Sequence, residues 1–211
     1  KGFDQKNHHH IYDVLEHTAV AVDACPPVPQ LRLAVLLHDF GKPDTFTTDE
    51  KGTGHFYGHG DVSWQMSKDI LNRLKVSKED YNLITRLVKY HDTLILPEEK
   101  AVRRALNKHG KEFVKMLLLV KRADNAGQNI KDYDRTDEYN HLEAVIDSVL
   151  EQKQCFSLKQ LAINGNDLIE IGFAPSPDIG NVLNQLLEMV IDGKIANEKQ
   201  ILLTKSKELM Q

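Results

Sequence analysis

Apolar positions recur at helical spacing along most of the chain. Ile11, Val14, Leu15, Thr18, Ala19 and Val22 form a first stripe. Pro26, Pro27 and Pro29 end that helix and open the next, which runs through Leu31, Ala34, Val35 and Leu37 until Gly41 and Pro43. Residues 40–60 read as a loop or short hairpin, punctuated by Gly52, Gly54, Gly58 and Gly60. A helix is predicted from Val62 to Leu74. The next begins at an N-cap, Ser77, with Asp80 three residues on, and carries Leu83, Ile84, Leu87 and Val88. Pro97 precedes a short helix over Ala101–Leu106. Gly110 separates it from a helix with Phe113, Met116, Leu117 and Val120 on one face. After a polar stretch from Gly127 to Glu138, helices are predicted through Leu142, Val145, Ile146 and Leu150, at Leu168–Ile171 and over Val182–Ile191. No run of alternating strands interrupts this pattern, so the expected class is all-α, a helical bundle with a small C-terminal helical extension.

Several polar residues fall where that pattern calls for core. His91 lies four residues after Leu87, and Asp124 four after Val120. His38-Asp39 follows the apolar run Leu33–Leu37, and His17 flanks the first stripe, three residues after Val14. Buried ionisable groups are costly unless paired or bound to metal. A single histidine on an apolar face is usually a satisfied core residue, and a His-Asp pair is common by chance. Four helices each closing an apolar face with His or Asp is what a metal site inside a bundle requires.

Composition changes this picture little. The 211 residues include 41% apolar and 27% charged side chains, ordinary for a globular protein. Twenty-seven basic against thirty-one acidic residues give a net charge of −4, which predicts neither membrane nor nucleic-acid binding for the whole chain. Locally, Lys100, Arg103, Arg104, Lys108, Lys111, Lys115, Lys121 and Arg122 form a basic stretch against Glu112, either an RNA-facing stripe or a solvated face. Cys25 and Cys155 form no CxxC pair, so a reducing cytoplasm is the expected compartment. The longest apolar runs, such as Met116–Val120, are too short to span a bilayer. The chain opens Lys1-Gly2-Phe3 without a methionine, which fits a processed protein or a piece of a longer one.

The order His17, His38-Asp39, Asp124 resembles the metal-binding signature of HD-superfamily phosphohydrolases. His59 and His91 resemble the two further histidines of members that hold a second ion. The segments GFDQKNHHHIYDVLEHT, LLHDFGKPDTF, GHFYGH, AVRRAL, ADNAGQ and the tail from Ile163 to Asn197 together resemble the C-terminal half of bacterial CCA-adding tRNA nucleotidyltransferases. The likeness implies an HD domain over 1–130 and a helical extension over 131–211. It also implies one or two divalent ions (Mg, Mn, Fe, Ni or Co) on His17, His38, Asp39, His59, His91 and Asp124. The implied substrates are phosphate esters of nucleotides or of RNA 3′ ends, including 2′,3′-cyclic phosphates, with tRNA as a partner. The Gly-Ser and paired aspartates of the nucleotide-adding head are missing, and Asp132-Tyr133-Asp134 reads as a solvated loop.

The residues then suggest roles. Asp39 is the expected bridging ligand. Lys42, three residues on, is either a catalytic and phosphate-binding ammonium or a surface lysine. Arg103 and Arg104 are candidate phosphate forks or part of a solvated helix face. Phe56-Tyr57 is read as packing its loop in preference to stacking a base, and Trp64 as core. His8, His9 and His10 receive no role. Two functions follow: a metal-dependent phosphohydrolase, and a non-catalytic tRNA-binding half of a CCA-adding enzyme.

Overall fold

A computed structural model describes residues 2–6 and 11–209, with only the backbone of Ile130. The His8–His10 run lies outside the described residues. Among them the chain is built of α-helices, and extended pairing is limited to a two-residue antiparallel hairpin, β1 (Thr47–Thr48) with β2 (Gly54–His55). The all-α expectation holds.

The chain divides into two compact units, each of two segments: 1–94 with 111–143, and 95–110 with 144–211. The single cut near residue 130 drawn from the sequence differs from this division. The reason is local: the helix after Pro97 packs its apolar face with the C-terminal helices.

In the first unit, α1 (Val14–Ala24), α2 (Pro29–Leu37), α5 (Lys78–Tyr90) and α7 (Lys111–Ala126) pack on one another, and α4 (His59–Leu74) lies along α5. Leu31, Leu37, Ile84, Leu87, Leu117 and Val120 form the centre of its core. A short α3 (Lys42–Thr45) links α2 to the hairpin, and α8 (Ile130–Tyr133) follows α7. The stripe of α1 is shifted: of its expected positions Thr18 is buried, together with His17 and Ala21, while Ile11, Leu15 and Ala19 are exposed. Asp13 fixes that helix start through a capping box with Glu16.

The second unit holds α6 (Glu99–His109), the later part of α9 (Thr136–Glu151), α10 (Gly165–Glu170), α11 (Asp178–Ile191) and α12 (Lys199–Glu208). Its core centres on Leu168, Leu186, Ile191 and Leu202. Helix α12 has no counterpart among the predicted helices: only Leu202 and Ser206 of its residues are buried, too few to make a stripe. Trp64, expected in the core, is half-buried, with Lys68 Nζ 3.3 Å and Lys89 Nζ 3.9 Å from its ring centroid. Among the described residues no helix is long and apolar enough to cross a membrane.

Candidate metal centre

Helix ends bring the polar residues together. His38 and His91 cap the C-termini of α2 and α5, Asp124 sits in the last turn of α7, and His59 opens α4. His17 departs from the expected pattern, lying in the first turn of α1. Gly58, at φ 78°, turns the chain into α4 and so delivers His59.

All four histidines are held the same way. Nδ1 of His17, His38, His59 and His91 meets the backbone carbonyls of Gly127, Val35, Phe56 and Val88 at 2.8, 2.6, 2.9 and 2.7 Å. A carbonyl only accepts, so each Nδ1 donates its proton there and each ring turns its Nε2 inward. Gly127 is required for this contact: a Cβ there would lie 2.7 Å from both Nδ1 and the carbonyl oxygen of His17.

The inward atoms form two groups that share Asp39: His17, His38, Asp39 and Asp124; and Asp39, His59 and His91. In the first, His17 Nε2 lies 3.3 Å from His38 Nε2, 3.3 Å from Asp39 Oδ2 and 3.0 Å from Asp124 Oδ1. His38 Nε2 is 3.2 Å from both of those oxygens. Donor atoms about 2.1 Å from one ion lie ~3.0–3.4 Å apart, so these separations fit the edges of a coordination shell. In the second, His59 Nε2 and His91 Nε2 are 3.0 Å apart, and lie 3.4 and 3.9 Å from Asp39 Oδ1.

Among the described residues Asp39 Oδ2 is the buried side-chain polar atom without a hydrogen-bond partner. The Lys42 ammonium is 2.7 Å away, a charge contact without hydrogen-bond geometry, and donates instead to Gln5 Oε1 at 2.8 Å. A buried carboxylate oxygen ringed by imidazole nitrogens and left unbonded is what a cation would complete. Both His/Asp groups therefore have the donor set and geometry to hold a metal ion.

The electrostatics agree. Burial disfavours charge on His17 and His38, but the Asp39 and Asp124 carboxylates overcome it and raise them to about 9 and about 10. Burial also opposes ionisation of Asp39 and Asp124. The neighbouring imidazoles, with Lys42 beside Asp39, hold both well below the usual carboxylate range. Burial, then the His38 charge, pushes His91 down to about 3. Without an ion, protons on His17 and His38 neutralise the two carboxylates.

The centre opens into a cavity of about 760 Å³, lined in part by Asp39, Lys42, His59, His91 and Asp124. That volume suits a small-molecule site.

Comparison with known proteins now decides the family. Residues 46–205 match the tRNA nucleotidyltransferase domain 2 family. The chain belongs to that family. It is 29% identical to the A-adding tRNA nucleotidyltransferase of Deinococcus radiodurans over 95% of this chain and 47% of that protein. It is 27% identical to the CC-adding tRNA nucleotidyltransferase of Thermus thermophilus, over 94% of this chain and 45% of that protein. A shorter stretch, 25% of the chain, is 42% identical to the CCA-adding enzyme of Limosilactobacillus fermentum. The chain thus spans about half the length of the A-adding and CC-adding relatives.

In this tRNA nucleotidyltransferase domain the two predicted arginines are bonded within the second unit. Arg103 donates to the Ile191 carbonyl through Nε and Nη2, at 3.1 and 2.9 Å, and to Gln154 through Nη1 at 2.5 Å. Its fork holds the C-terminal end of α11, a structural use that leaves little of it exposed. Arg104 is half exposed and pairs with Asp192 at 2.6 Å. Both lie in the second unit, and neither lines the cavity. Lys42, by contrast, is buried beside Asp39.

Gln5, Gln128, Tyr133 and Arg135 also reach the centre or its cavity, without a mark in the sequence pattern. Gln5 is 1% exposed and reaches the centre from an irregular N-terminal segment. The other three line the cavity from the α7–α9 connection. None sits in a periodic pattern that would mark it.

Proposed function

We propose that this chain is the tRNA-binding C-terminal half of a tRNA nucleotidyltransferase. The observation that carries this reading is the similarity to the A-adding and CC-adding relatives along almost all of the chain. The second unit offers a surface suited to a phosphate backbone: Lys100, Arg104 and Lys194, each about half exposed or more, gather on one carboxylate, Asp192. Three cations against one anion leave an excess of positive charge. Filter binding of tRNA over a salt series tests this. Lys100→Glu with Arg104→Glu is expected to weaken binding and flatten its salt slope by about one to two units. Absence of tRNA binding by the wild-type chain at low salt would overturn the reading.

A second reading rests on the metal centre: an HD-type phosphohydrolase acting on phosphate esters of nucleotides or of RNA 3′ ends. The unbonded Asp39 Oδ2 amid inward-turned imidazoles favours it. His17, His38, Asp39 and Asp124 would hold one ion, and Asp39, His59 and His91 a second. A divalent ion held there supplies Lewis acidity and a hydroxide nucleophile near neutral pH. Lys42, fixed by Gln5 at the cavity floor, presents a buried cation to an ester oxygen. Backbone carbonyls keep the imidazoles from swinging, so the chain contributes a preformed site. Protein loaded with Mn²⁺ or Ni²⁺ is expected to hydrolyse bis-p-nitrophenyl phosphate or 2′,3′-cyclic nucleotides, and Asp39→Ala to abolish it. Loaded protein inert toward every such ester would end this reading and leave the first intact.

A further inference from the structure

The hairpin beside the metal centre carries two aromatic residues with opposite fates. Phe56 turns inward, its ring 5.5 Å from Phe46 and 6.4 Å from Phe3, with Phe3 5.3 Å from Phe46. The residues on either side, His55 at the end of β2 and Tyr57 in the turn that follows, lie against each other. Their rings stack in parallel, 7° between planes and 5.3 Å between centroids. Tyr57 is nonetheless 78% exposed, a high value for a tyrosine already in contact with a neighbour.

This pair is held firmly. Asp49 Oδ1 accepts from the backbone N–H groups of Lys51 and Thr53, which closes the turn, and its Oδ2 lies 3.2 Å from His55 Nε2. The Tyr57 hydroxyl is 3.4 Å from His55 Nδ1. Packing of Phe56 anchors the strand from below. Both His55 and Tyr57 line the cavity that ends on Asp39, His59 and Asp124, and Tyr57 is two residues from His59. An ordered aromatic face at the rim of a cavity with cations and His/Asp groups at its floor matches one ligand chemistry: a phosphate joined to a flat heterocycle.

We propose that Tyr57, backed by His55, is a nucleobase-stacking platform, and that the cavity selects phosphate esters carrying a base. This inference rests on the phosphate-ester reading of the centre. A free nucleotide and the terminal nucleotide of an RNA share the required chemistry, so the test has an arm for each.

The experiment is calorimetric titration of the full chain loaded with Mn²⁺, with chromatography confirming intact ligand. The mononucleotide arm compares AMP with ribose 5-phosphate. The RNA arm compares a short RNA ending in a 3′-phosphate with the same RNA abasic at its last residue. The base is expected to tighten binding by about 5- to 100-fold, the range that one stacked base contributes. Tyr57→Ala is expected to erase that gap and Tyr57→Trp to keep it. A gap in the first arm assigns the site to free nucleotides, and one in the RNA arm alone to RNA ends; either supports the platform. Binding of ribose 5-phosphate with no preference for the base in either arm would overturn the platform and leave the phosphate-ester reading standing. So would a Tyr57→Ala effect that falls equally on both members of each pair. Failure of every phosphate compound to bind would overturn both.

Discussion

Asp39 is the residue on which the centre turns. It belongs to both His/Asp groups, is 1% exposed, and has one oxygen without a hydrogen bond. The charge balance around it sets a pH dependence. Folded-state values raised to about 9 for His17 and about 10 for His38 stabilise the ion-free fold fully below their ordinary 6.5. That contribution fades as pH rises through 9 to 10. The depressed Asp39 and Asp124 act in the opposite sense, stabilising above 3.8 and failing only in acid. Chelator-treated protein is therefore expected to lose melting temperature between pH 7 and 10. Added Mn²⁺ displaces the imidazole protons, so its stabilisation should grow over the same range. Scanning calorimetry at several pH values, with and without Mn²⁺, checks this; an Mn²⁺ shift that shrinks as pH rises from 7 to 9 would contradict it.

At the scale of elements, the supports of the centre are caps and close approaches. Gly127→Ala would drive a methyl group into His17 and is expected to weaken metal binding about 10- to 100-fold, measured by competition with a chelating dye. Ser77 accepts from the Asp80 N–H at the start of α5, the helix that ends on His91. Ser77→Ala should cost about 1 kcal/mol in urea unfolding, with metal content retained. Arg103→Ala removes two donors from the Ile191 carbonyl at the end of α11 and should cost about 1–3 kcal/mol in the same assay. Most helices were legible because their buried faces repeat at helical spacing. The shift of α1 was not, because the buried His17 carries no apolar signal, while Ile11 and Leu15 do and face solvent. His38, His91 and Asp124 stood out because each extends an apolar run. Gln5 and Arg135 did not, since irregular segments deliver them and nothing in their spacing marks a destination. The same holds for Phe56 and Tyr57: only the fold separates the packed ring from the exposed one.

On the scale of the whole molecule, the two units carry different features. The six His and Asp residues lie in the first, and the cluster around Asp192 in the second. Family membership rests on a match from residue 46 to 205, which enters both. Leu186→Ala in the core of the second unit should destabilise it by about 2–5 kcal/mol. Hydrogen exchange should then rise across α10 to α12 while the first unit keeps its metal. Loss of metal in that variant would show that the centre depends on the second unit. Part of the basic stretch is spent on structure, Lys121 being buried and Arg103 bonded to α11.

A divalent ion held where these His and Asp side chains converge would show first in the metal content of the protein. The purified full chain, stripped with chelator, reloaded with Mn²⁺ or Ni²⁺ and desalted, is analysed by plasma mass spectrometry beside Asp39→Ala and Asp124→Ala. The structure predicts one to two retained ions per wild-type chain, and a loss of at least one ion in each variant, with circular dichroism unchanged. Wild-type protein that retains no more metal than the variants would contradict it.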